Sequence, residues 1–174
     1  MRIAIGLLAF LIVGTCLAQS ARAQAPAAPA AAAQAPAVKT YTSAAEVTAL
    51  IAKAKAERKA DQPNLVQPLL QLPPYSTNLE YRASIGNATV HEHEAEMFYV
   101  VDGSATMVTG GKLVEEKRTN AENLAGSAIE GGVSRNIAKG DFIMVPENTP
   151  HWFSTINGTL VLMSIHVPRP LPAR

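Results

Sequence analysis

One cysteine, Cys16, stands in 174 residues, and it lies where it would be lost from the working chain. Met1-Arg2 is a short basic start, Ile3 to Val13 is apolar, and Ala21-Arg22-Ala23 has the small-x-small form of a cleavage site. This pattern predicts a signal peptide over residues 1–23, with export to the periplasm or the exterior. Thr15 stands where a lipid-attachment motif wants a smaller residue, so Cys16 is not read as lipidated. Without Cys16 there is no disulfide, even in an oxidising compartment. An excess of either charge is also missing. Loss of Arg2 and Arg22 leaves 13 basic residues against 14 acidic ones, a net charge of −1. That balance gives no support to a nucleic-acid partner, which wants a basic patch. No apolar run approaches the roughly 20 residues of a membrane helix, so no membrane association is expected once the leader is cleaved.

What remains divides by texture. Residues 24–40 are mainly Ala and Pro, too uniform to bury a core, and read as a linker. Within 41–64, Ser43-Ala44-Ala45-Glu46 has capping-box spacing, and Val47, Leu50, Ile51 and Ala54 recur at helical intervals. One amphipathic helix over about 44–59 follows, ended by Asp61-Gln62-Pro63. Residues 65–170 are β in character. Leu79, Tyr81, Ala83 and Ile85 alternate with polar neighbours, and further strands are expected at 89–93, 97–101, 105–109, 133–137, 142–145, 151–156 and 160–167. Asp102-Gly103 and Asn157-Gly158 read as hairpin turns between consecutive strands. Residues 110–132 are polar, glycine-rich and carry the charge run Glu115-Glu116-Lys117-Arg118, a loop that serves as a lid or a solvated excursion. The fold class expected is all-β: a single antiparallel jelly-roll barrel with one N-terminal α-helix.

The chemistry concentrates in few side chains. His91 and His93, one residue apart on a strand, point to one side. Glu96 follows closely, and His151 stands in Pro146-Glu147-Asn148-Thr149-Pro150-His151. Imidazoles with a carboxylate suit one divalent transition metal, Fe, Mn, Ni, Cu or Zn, and affinity order alone does not choose among them. If Glu94-Ala95 is a two-residue turn, His93 and Glu96 come to oppose each other; an irregular turn offers Glu94 instead, or leaves three histidines. His166, two residues before Pro168, reads as structural, and Arg82 as an exposed strand arginine.

These residues resemble the two motifs of the cupin superfamily. Gly86, His91-x-His93, Glu96 and Gly103 follow the first, with Glu96-Met97-Phe98-Tyr99-Val100-Val101-Asp102-Gly103 close to its second half. Gly140, Pro146 and His151 keep the spacing of the second. The chain departs from the pattern in three ways: Asn148 replaces a glycine, Thr155 replaces an asparagine, and the gap between His93 and Glu96 is one residue short. The resemblance covers about 79–167. It implies a cupin barrel whose metal is held by His91, His93, Glu96 and His151. It further implies a metal-dependent enzyme of oxygenase-like type acting on a small organic molecule, in a chain that forms homodimers. The alternatives within the same fold are a non-catalytic metal or small-ligand binder and a sugar or acid isomerase.

Overall fold

The computed structural model describes residues 37–169. The expected signal peptide and most of the linker lie outside the described residues. Helix α1 spans Ala44–Glu57, and eleven strands follow: β1 Asn64–Leu72, β2 Tyr75–Arg82, β3 Ala88–His91, β4 Glu94–Thr109, β5 Lys112–Val114, β6 Lys117–Arg118, β7 Asn123–Gly126, β8 Ala128–Glu130, β9 Val133–Ala138, β10 Phe142–Val145 and β11 His151–Pro168. The pairing is antiparallel throughout. The all-β expectation with one leading helix therefore holds, and among the described residues no helix is long and apolar enough to cross a membrane.

Helix α1 begins where its capping box requires. The Ser43 hydroxyl accepts from the Glu46 N–H at 3.2 Å, and Glu46 Oε2 accepts from the Ser43 N–H at 2.7 Å. Its apolar stripe, Val47, Leu50, Ile51 and the fully buried Ala54, covers the outer face of the sheet at Leu79, Tyr81, Val161 and Met163.

Two expected hairpins are corrected. Residues 94–109 form one strand and 151–168 form another, and the two pair along their whole length, from His151 opposite Thr109 to Pro168 opposite Glu94. Gly103, at φ 84°, and the irregular stretch between Ile156 and Leu160 face each other across this ribbon. A Cβ at Gly103 would lie 2.0 Å from the Thr159 carbonyl oxygen, so no other residue fits there. The turn-forming residues bend a pair of strands instead of ending each one. The bend is large. Phe153 pairs with Met107, and the nine steps from Phe98 to Met107 would span roughly 30 Å if straight. Yet the Phe98 and Phe153 rings meet edge to face at 5.6 Å between centroids. The ribbon is folded over on itself, and its concave side encloses Phe98, Val100, Ala105, Met107, Ile137, Ile143, Val145, Phe153, Leu160 and Leu162.

Strands β9 and β10 follow one another along the free edge of β4, while β2 lies beside the last part of β11. The segment 110–132 is also corrected: it is four short strands, β5 with β8 and β6 with β7, and β7 joins the main sheet through β3.

Candidate metal centre

Folding the ribbon brings both ends of β11 to the same place. His166 lies directly opposite Glu96 in the β4–β11 pairing, so the two side chains share a face. His151, the first residue of β11, is flanked by Thr89 on β3 and Thr109 on β4. His91 ends β3, opposite Asn123 on β7. Glu96 is buried, 4% exposed, on the inward face it shares with Phe98 and Val100.

Three imidazole nitrogens converge on its carboxylate. Glu96 Oε2 lies 3.1 Å from His151 Nε2 and 3.3 Å from His91 Nε2, and Oε1 lies 3.4 Å from His166 Nε2. The His91 ring centroid is 5.3 Å from that of His151 and 5.1 Å from that of His166. One donor atom each from His91, Glu96 and His166 falls within 4.8 Å of the others.

The opposite ring nitrogens are all occupied. His91 Nδ1 donates to Asn123 Oδ1 at 2.7 Å, His151 Nδ1 to the Thr149 carbonyl at 3.2 Å, and His166 Nδ1 to Glu94 Oε1 at 2.7 Å. A carbonyl or carboxylate oxygen can only accept, so these contacts fix the proton on Nδ1 and leave each Nε2 with its lone pair. Thr89 Oγ1, 2.9 Å from His151 Nε2, can donate to that lone pair, while those of His91 and His166 face the carboxylate inside the protein. Such a group repels itself unless a cation, proton or metal, lies among its atoms. The donor types fit a divalent transition metal.

The proton affinities agree. Burial would raise the Glu96 carboxyl, but His151 and His91, by hydrogen bonding and charge, together with the charge of His166, hold it far below the ordinary carboxylate range. Burial would lower His91, but the Glu96 carboxylate, aided by Asn123 and Glu94, raises it above its ordinary value.

The structure brings His91, Glu96 and His151 together and leaves His93 apart. The chain turns at Glu92-His93, not at Glu94-Ala95, which belongs to β4. His93 has left the strand, and the face it would have shared with His91 no longer exists. Tertiary contacts hold this turn. Arg118 grips both Glu92 oxygens at 2.6 and 3.0 Å, and the Glu92 N–H donates to the Glu122 carbonyl. The Asn148 and Arg169 N–H groups cap the carbonyls of His91 and His93. Asn148 sits at φ 53°, a backbone region that asparagine tolerates. The exposed His93 lines a cleft of about 610 Å³ with Pro74, Tyr75, Glu94, Glu122 and Arg169.

His166, Asn123 and Glu94's contact with His166 were not visible as site features in the sequence. His166 carries no motif, and Asn123 lies in the segment read as a loop.

No family model matches the sequence, and no curated relative matches it. Among solved structures, the chain is similar to the hydroxypropylphosphonic acid epoxidase of S. wedmorenis, with 16% identity, 60% of this chain and 51% of that one covered, and a TM-score of 0.46. It is also similar to KdgF from Halomonas sp., with 15% identity, coverage of 65% and 87%, and a TM-score of 0.47. A third is a mannose-6-phosphate isomerase-like protein from Ralstonia eutropha JMP134, with 18% identity, coverage of 65% and 93%, and a TM-score of 0.44. The chain spans about half the length of the epoxidase. These likenesses concern the path of the chain alone. Strand pairing and donor set together define a small antiparallel β fold carrying a candidate histidine–glutamate metal site.

Proposed function

We propose that this protein holds one divalent transition metal through His91, Glu96, His151 and His166, and acts on a small organic molecule in oxygenase-like fashion. One observation carries the reading: three Nε2 atoms crowd a buried carboxylate while every Nδ1 is tied to an acceptor. When bound, such an ion supplies Lewis acidity or a redox centre. The protein's own contribution is to fix the three rings by their Nδ1 contacts and to exclude bulk water around Glu96 and His151. A nearby cleft, with Tyr75, His93, Glu94 and Arg169 but none of the four ligands in its wall, has room for a small substrate.

Metal analysis of the purified protein after reconstitution tests this. About one equivalent is expected, with anomalous scattering centred between His91, His151, His166 and Glu96. A stoichiometry near zero overturns it. Oxygen uptake across a panel of phenols, diketones and thiols then separates an oxygenase from a non-catalytic metal binder.

A second reading, isomerisation of a sugar or acid, draws support from His93. Such chemistry needs a positioned proton acceptor, and an imidazole in the cleft wall is one. Export and homodimer formation belong to the same proposal. N-terminal sequencing of exported protein tests cleavage after Ala23, and sedimentation tests the dimer.

A further inference from the structure

We infer that Glu94 is the positioning residue for His166, and is not itself a metal ligand; the inference rests on the metal reading above. Its carboxylate stands behind the rings. Glu94 Oε1 meets His166 Nδ1 at 2.7 Å and His91 Nδ1 at 3.7 Å, whereas Glu96 meets the Nε2 atoms of the same two rings. A carboxylate on the Nδ1 side polarises and orients an imidazole; it does not share the ion on the other side.

The location explains why His166 needs such a partner. Glu94 opens β4 directly opposite Pro168, two residues past His166. Backbone pairing continues past the proline, where the Arg169 N–H donates to the His93 carbonyl, but it holds no side chain. The Glu94–His166 bond adds a side-chain tie between the two strands beside the ring. Glu94 also lines the cleft, so without it the His166 ring has open space into which to rotate. His91 differs: Asn123 holds its Nδ1 from a separate strand, and loss of Glu94 leaves that contact in place.

The test uses the full chain reconstituted with Co(II) or Zn(II). Chelator competition measures affinity in the wild type, Glu94→Ala and Glu94→Gln, and thermal melts of the metal-free proteins check folding. Glu94→Ala is expected to weaken binding about 10–100-fold, the usual effect of removing the partner of a ligating histidine. Glu94→Gln keeps an acceptor oxygen at the same reach and should stay within about threefold of wild type. In the Co(II) protein, three exchangeable, paramagnetically shifted Nδ1–H proton signals are expected for the wild type and two for Glu94→Ala. Wild-type affinity with all three signals in Glu94→Ala overturns the inference, as does Glu94→Gln binding as weakly as the alanine variant. Should Glu94→Ala not fold, Glu94→Asp, whose shorter reach breaks the bond, takes its place against Glu94→Gln. A wild type that takes up no cation removes the metal reading itself, and this inference with it.

Discussion

Glu80 and Glu96 are buried to the same degree, each 4% exposed, yet they are neutralised in opposite ways. Glu80 Oε2 receives Arg82 at 2.6 and 2.8 Å and Asn64 at 3.2 Å. A guanidinium is charged at every physiological pH, so this carboxylate has a permanent partner. Arg82 also lies over the Phe153 ring, 4.7 Å from its centroid, and is mostly buried, unlike the exposed arginine its sequence context suggests. Glu96 has three imidazoles and no fixed cation. The first carboxylate is complete within the protein; the second becomes complete only with something added. Burial alone therefore does not mark a functional acid, and the charge state of its neighbours does.

Substitutions can break that contrast. Arg82→Met should be the most damaging, since it strands Glu80 without its cation, and a loss of about 3–5 kcal/mol is expected in urea unfolding. A loss below about 1 kcal/mol would place Glu80 outside the structural role argued for it. Next comes His166→Ala, expected to weaken metal binding more than about 100-fold in chelator competition, while His93→Ala stays within about threefold. Equal effects would return His93 to the site. Asn123→Ala should cost about tenfold in the same assay, because it frees the His91 ring without removing a donor.

The smallest effect is a pH dependence with opposite signs in the two forms. In the metal-free protein, His91 is raised above its ordinary 6.5 and Glu96 is lowered below its ordinary 4.5. The His91 contribution is full below 6.5 and fades as pH rises through its raised value. The Glu96 contribution is full above 4.5 and fades only as pH falls toward its depressed value. Melting of the metal-free protein should thus be highest between 4.5 and 6.5 and decline above. Metal affinity should rise over that upper range, since binding displaces protons. Parallel trends in both forms would contradict a shared set of donors.

Much of this was legible in the sequence, for physical reasons that also set the limit. The helix was readable because Ser43 and Glu46 cap it locally. The strands were readable because alternation records burial. Gly103 and Gly158 were recognisable as places where the chain departs from straight extension. That they bend one ribbon, instead of closing two hairpins, depends on Gly103 facing Leu160 from 57 positions away. His91, Glu96 and His151 could be named from spacing. That His166 stands beside Glu96 while His93 does not could not be read, because Arg118, Glu122 and Arg169 hold the turn, and His166 meets Glu96 through the register of β11.

Strand β11 gives the cluster two of its three histidines, His151 from its first residue and His166 from near its end. The group around Glu96 is therefore whole only when that strand is docked along its full length.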